Sequence, residues 1–319
     1  MNKFTRGISQ NKVIFIDILN VNLHLIMKNI LSNFLLFIFQ AISIGFCLLP
    51  RKTSLFIGRQ IGNAVYMLSI RKKVAKKNIS IAFKNSSDTE KQMILLNCYQ
   101  YFGMMLIDFI RQQKINKNNL DEYFVFNKKY KDILTQAKGG CIMSAHLGNW
   151  EYILPFMGLN NFPMETVVKK QSNLAANKFY IKIRSFPNIN LIWKKNALRR
   201  LYEAISDKRF IGLASDQNAR SRGVKINFFG KKSSFPKGAG IFHSRTGCDV
   251  FMVLCIMGSD YKYHIFVKKI NIEKNNKSES EIIEQLNSEY VKILTNKIKQ
   301  YPNQYFWFHK KWDKKIYNK

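Results

Sequence analysis

The stretch Ser144-Ala-His-Leu-Gly-Asn-Trp-Glu151 sets an imidazole five residues ahead of a carboxylate, two groups that together can move a proton. A carboxylate that accepts a hydrogen bond from one ring nitrogen fixes the histidine tautomer. The other nitrogen is then free to take a proton from an alcohol. No enzyme nucleophile is needed, because the activated hydroxyl attacks an acyl donor directly. On one ideal helix residues five apart lie about 140° apart, so His146 and Glu151 can meet only if His146 precedes the helix that carries Glu151. The bland alternative is a histidine satisfied in a turn, with Glu151 an acid at a helix N-terminus.

The flanking residues supply such a turn. Gly139-Gly140 leads into a strand predicted at Cys141–Ala145, His146 follows at its carboxyl end, and Gly148-Asn149 opens a helix over 148–158. Ligand sites in α/β sheets sit at such strand ends. Further strands are predicted at Glu165–Val168, Leu191–Trp193, Phe210–Ser215, Val250–Met257 and His264–Lys268. Helices fit at 173–185, 197–206, 237–246 and 279–299. Strands alternating with helices imply an α/β fold with a mixed sheet flanked by helices. Ahead of it, 53–70 and 88–113 read as helices, the second capped by Asp88.

From Ile30 to Leu49 no residue is charged, and Pro50-Arg51-Lys52 closes the run. As a helix this run rises about 30 Å, enough to cross a hydrocarbon layer. The expected organisation is an N-terminal segment, 1–52, with a single membrane helix at about 30–49, then an α/β domain over 53–319. Lys12 and Lys28 precede the helix, and Arg51, Lys52, Arg59, Arg71, Lys72 and Lys73 follow it. The heavier basic cluster comes after, which places the domain in the cytoplasm.

Lys and Arg number 52 against 20 Asp and Glu, a net charge of +32. Basic residues run along the whole chain with no recognition motif, so nucleic acid is the weakest partner class. Anionic lipid headgroups or an acidic protein fit better. Cys47, Cys98, Cys141, Cys248 and Cys255 lie scattered without metal-ligand spacing and read as reduced thiols; no zinc site is expected. His24, His243 and His264 read as ordinary histidines.

In this setting the octapeptide at 144–151 resembles the signature of the bacterial late acyltransferases of lipid A synthesis, the lauroyl- and myristoyltransferase type. Arg71 through Phe83 is similar to that family's R-x-x-V-x-x-N-x-x-x-x-F segment. Ala214-Ser-Asp216-Gln217 resembles its D-Q block, followed by a loop ending Asn227-Phe228-Phe229-Gly230. Pro236 through Gly247 looks like its G-P/A-rich helix, and Gln304 through Trp312 resembles its terminal Q-Y-x-W-x-H-R-R block. The resemblance spans about residues 30–313, and ordered blocks are far more specific than any single one.

The resemblance implies a glycerolipid-acyltransferase-like fold at the bacterial inner membrane, single-pass, with its site facing the cytoplasm. The implied reaction transfers a fatty acyl chain from an acyl carrier protein or acyl-CoA thioester to a hydroxyl of a lipid A precursor, in lipopolysaccharide biosynthesis. No metal or other cofactor is expected. His146 would be the general base and Glu151 its partner, while Lys169, Asp216, Gln217, Arg220 and Lys310 are candidates for binding acceptor or donor. Two departures concern charge geometry. Val168-Lys169-Lys170 stands where the family has arginine in a Y-R-P-like stretch, and Lys310-Lys311 replaces the terminal R-R. Lysine keeps the charge but loses the bidentate fork. The alternatives are acylation of a lysophospholipid or mannosylated glycolipid, or a catalytically inactive membrane-bound binding protein of the same fold.

Overall fold

A computed structural model describes residues 27–195, 197–273 and 276–318. Lys12 and His24 lie outside the described residues. The chain forms two compact units. One runs from the first described residues through Gly45 and takes in Lys170–Lys182; the other joins Phe46–Lys169 to Ile183–Lys319.

In the first unit, helix α1 (Met27–Leu48) sets Phe39 against Phe179 of helix α8 (Leu174–Ile183), their rings 5.7 Å apart. Helix α1 is long and apolar enough to cross a membrane, and Ile30, Phe34, Phe37 and Ile44 all stay exposed. A helix that keeps so much apolar surface outside any protein core is suited to lipid.

The second unit is built on a sheet of β1 (Phe124–Val125), β2 (Gly140–Ser144), β3 (Met164–Val168), β4 (Ile189–Trp193), β5 (Phe210–Ala214), β8 (Val250–Met257) and β9 (Tyr263–Lys269). Among the described residues their order is β1-β9-β8-β2-β5-β3-β4. All neighbours are parallel except β8 and β9, which a short turn joins as a hairpin. Both faces are covered. Strand β8 is buried at every residue: Val250, Met252 and Leu254 join one core, and Phe251, Val253 and Cys255 the other. Helices α9 (Ala197–Ser206), α10 (Gly238–Thr246) and α11 (Glu279–Gln300) pack on the first face, α7 (Ile153–Leu159) on the second.

Helices α2 (Arg51–Met67), α3 (Lys72–Ala82) and α4 (Asp88–Arg111) precede α5 (Leu120–Tyr123) and α6 (Lys128–Gln136). Gly58 and Gly62 of α2 face Gly103 of α4 so closely that a Cβ at any of the three would overlap the opposing backbone. Small residues four apart let two helices approach this way. Asp108 of α4, wholly buried, accepts from Arg51 Nε at 3.0 Å and Nη2 at 2.7 Å and from the Tyr263 hydroxyl at 2.8 Å. One carboxylate thereby ties α2 and α4 to the sheet. Helix α4 is also long and apolar enough to span a membrane, but half of that stretch is buried in the protein.

The predicted strands all form, with ends displaced by no more than two residues. Three local readings are corrected. Ser87, not Asp88, caps α4: its hydroxyl accepts from Glu90 N while the Glu90 side chain caps it in return. The helix expected over 148–158 begins only at Ile153, after a 3-10 turn at Trp150–Tyr152 that holds Glu151. The loop expected before Gly230 is a hairpin, β6 (Val224–Phe228) with β7 (Lys231–Phe235). Its two turn residues, Phe229 and Gly230, both have positive φ, the tight turn that matches strand twist.

Candidate active site

Strands β2 and β5 run parallel in register, Ser144 beside Ala214. Two residues beyond each partner, where both chains leave the sheet, stand His146 and Asp216. His146 Nδ1 lies 2.7 Å from Asp216 Oδ1. At the other end of the ring, Gln217 Nε2 is 3.1 Å from His146 Nε2. With Nδ1–H donating to the carboxylate, Nε2 carries the lone pair and accepts from the Gln217 amide.

The hydrogen bond expected between His146 and Glu151 is therefore replaced. Glu151 is bound by Arg184, with Nε at 2.7 Å from Oε2 and Nη2 on Oε1, and Trp150 Nε1 donates to Oε1 at 3.0 Å. The 3-10 turn carries Glu151 away from the imidazole to the guanidinium, so its charge reaches His146 only at longer range.

The histidine loop is held by the last block of the chain. Phe306 N donates to His146 O at 2.8 Å, and Gly148 N donates to Gln304 O at 2.9 Å. The Gln304 side chain also clasps both backbone groups of Met257 at the end of β8. Gly148 has φ +71°, and a Cβ there would overlap the Cys255 carbonyl, so this position demands glycine twice over. From the opposite side Asn78 of α3, 1% exposed, donates to the carbonyls of Trp307 at 2.6 Å and His309 at 2.7 Å. The Trp150 ring sits 4.6 Å from the imidazole, tilted.

These contacts enclose a cavity lined by Asn78, His146, Asp216, Gln217, Tyr305, Phe306, His309 and Lys311. Its volume of about 10 Å³ is near what one water needs. Lys311 was missed as a candidate, and its place is unusual. It is 3% exposed, and Nζ has no hydrogen-bond partner among the described residues; the ammonium lies 4.0 Å from the Phe235 ring centroid. An ammonium buried without hydrogen bonds is costly and persists only where other charges oppose it. Burial lowers its pKa to about 8, against the opposing pull of Asp216.

The same field acts on the pair. Burial drags the His146 pKa down, but the charge and hydrogen bond of Asp216 outweigh it and hold the imidazole above its ordinary value. Burial pushes Asp216 up, while His146 and Lys311 bring it down to about 2. A base must be neutral to act, so activity should rise with pH through the raised histidine value. Lys311→Met removes a positive charge that favours neutral imidazole, and should move that acidic limb to higher pH. The pH profile of kcat/KM checks this; a limb that stays in place removes Lys311 from the field at His146.

The remaining candidates fall apart spatially. Asp216 and Gln217 meet at His146. Lys169 is exposed after β3 and outside the cavity lining, and Arg220 opens an exposed 3-10 turn whose amide is held by Asn218. Lys310 is exposed with Nζ 5.6 Å from the Tyr317 ring, whereas the next residue takes the buried place. His243, in α10, is engaged by Cys248 O, and His264, in β9, by Asp260. Among the described residues no three of His, Cys, Asp and Glu are grouped as metal ligands.

A histidine oriented by a carboxylate at the ends of two adjacent parallel strands is an arrangement able to move a proton, set on an α/β fold. The chain belongs to the bacterial lipid A biosynthesis acyltransferase family, whose profile matches residues 25–314, and it is an acyltransferase. It is 24% identical over 272 residues to a lipid A biosynthesis palmitoleoyltransferase of Escherichia coli (strain K12), covering 82% of this chain and 86% of that protein. A lipid A biosynthesis acyltransferase of Shigella flexneri matches with the same figures. A phosphatidylinositol mannoside acyltransferase of Mycolicibacterium smegmatis (strain ATCC 700084 / mc(2)155) is 23% identical over 131 residues, 40% of this chain and 43% of that protein.

Proposed function

We propose that this protein transfers a fatty acyl chain from an acyl carrier protein thioester, or an acyl-CoA, to a hydroxyl of a lipid A precursor. The observation that carries the reading is convergence: Asn78, His146, Asp216 and the 304–311 segment come from separate sequence blocks and surround one cavity. In this reading His146 is the general base. As the acceptor oxygen bonds to the thioester carbonyl carbon, its proton passes to Nε2, at the position Gln217 now occupies. Collapse of the tetrahedral intermediate breaks the C–S bond, and the imidazolium returns the proton to the departing thiolate. Asp216 fixes the tautomer and stabilises the imidazolium, and the Lys311 ammonium opposes the charge of the oxyanion. Glu151 contributes its charge at longer range and anchors the turn through Arg184. The fold is glycerolipid-acyltransferase-like, with α1 anchoring the enzyme in the inner membrane and the site on the cytoplasmic side.

The test is transfer by the full chain in detergent, from a mixture of acyl carrier protein and coenzyme A thioesters, to competing acceptors: a lipid A precursor, a lysophospholipid and a mannosylated glycolipid. The expected product is one acyl chain added to the lipid A precursor, read by mass. Preference for the mannosylated acceptor would move the enzyme to the chemistry named for the mycobacterial relative. A folded protein that acylates none of them overturns the reading.

A further inference from the structure

A second, larger recess of about 860 Å³ lies along the β6–β7 hairpin and shares no lining residue with the cavity at His146. Its walls are α11, the end of α3 with the turn after it, and the β6–β7 hairpin. Lys84, Lys225, Lys232, Lys292 and Lys299 all line it, against one acid, Glu284. All five lysines are exposed, and among the described residues only Lys292 has an ion-pair partner, Glu289 at 3.7 Å. Ile226, Phe83, Phe229 and Val291 form an apolar floor between them. Along α11 the residues facing the recess recur at 284, 288, 291, 292, 295, 296 and 299, a single stripe down the helix.

Like charges that outnumber their counter-ions raise a positive potential that an anionic partner relieves. The donor chemistry distinguishes a compact phosphate from spread carboxylates. Compact phosphate is gripped with fixed geometry by bidentate arginine or converging backbone amides, to which lysine adds a point charge. This recess has no arginine in its lining and offers flexible, strongly hydrated lysines spaced around its rim instead. An apolar floor with cations on both margins matches a helix with a hydrophobic stripe flanked by Asp and Glu. The space suits about two turns of a helix ~10 Å across.

We infer that this groove docks an acidic amphipathic helix of a partner protein. The proposed function supplies the probe, because an acyl carrier protein is acidic, and the inference rests on that reading for the choice of probe. Binding of carrier protein to the full chain in detergent is titrated at rising salt, and kcat/KM is measured with the acyl group on carrier protein or on pantetheine alone. The groove variant is K225E/K292E/K299E; K128E/K129E/K131E, on exposed α6, is the control.

The groove variant should weaken carrier binding and raise KM for the carrier thioester about tenfold or more, an effect that fades with salt. The pantetheine thioester should be used as by wild type, and the control should move neither. Equal losses with both donors, equal losses in both variants, or no loss at all overturn the inference. A loss seen only with acceptor presented in anionic vesicles assigns the groove to a lipid surface instead. Wild type that binds carrier through the groove yet acylates nothing would sink the acyl-transfer reading and leave this one standing.

Discussion

Asp216→Asn should lower turnover about 10⁴-fold, close to the loss from His146→Ala, while the protein keeps its fold. The reason is tautomeric. Asp216 can only accept from Nδ1, so Nε2 must carry the lone pair. An amide of the same shape can present its NH₂ instead, which lets the proton settle on Nε2 and removes the base. The substitution also takes away the charge that outweighs burial at His146 and would stabilise an imidazolium. Single-turnover acyl transfer, with circular dichroism to confirm folding, measures it. Retention of activity within about tenfold of wild type would mean the imidazole is oriented by another group.

Glu151→Ala should destabilise the protein by about 3–5 kcal/mol, because it removes the carboxylate that the buried Arg184 guanidinium binds. Arg184 is 8% exposed and binds Glu151 through two nitrogens. The double variant Glu151→Met/Arg184→Met removes both charges and should recover most of the loss, since a buried pair is often replaceable by apolar side chains. The single variant Glu151→Ala should also shift the acidic limb of the pH profile down, because the Glu151 charge favours imidazolium. Urea unfolding of the single and double variants in one detergent gives the coupling. A double variant as unstable as the single, or a single as stable as wild type, would show that the pair does not hold this turn.

These two experiments separate what the spacing of His146 and Glu151 had joined. Five residues along one chain suggested a partner, but the real neighbour of the imidazole lies across the sheet. Asp216 is 70 residues away and comes alongside only through the register that sets Ser144 beside Ala214. Alternation of apolar runs reveals each strand and not which strand it pairs with, so the D-Q block was legible as a motif and not as the orienting acid. The β6–β7 hairpin escaped for another reason: Lys225, Asn227, Lys231 and Lys232 make its strands look like loop. Lys311 escaped because two adjacent lysines look alike until the fold exposes one and buries the next. By contrast, β8 and α11 were plain, one as an unbroken apolar run and the other as a long helical pattern closed at its start by a Ser278–Glu281 capping box.

The backbone bonds from Gln304 and Phe306 to the histidine loop have a consequence in time. The loop is translated about 160 residues before the segment that holds it. A growing chain can pair β2 with β5, and so bring His146 to Asp216, while the loop beyond still lacks its anchors. Contacts of such sequence separation form late. Catalytic competence therefore depends on residues 304–311 being in place, a later requirement than the pairing of β2 with β5. Fraying of residues 304–311 would silence the enzyme while leaving its sheet intact.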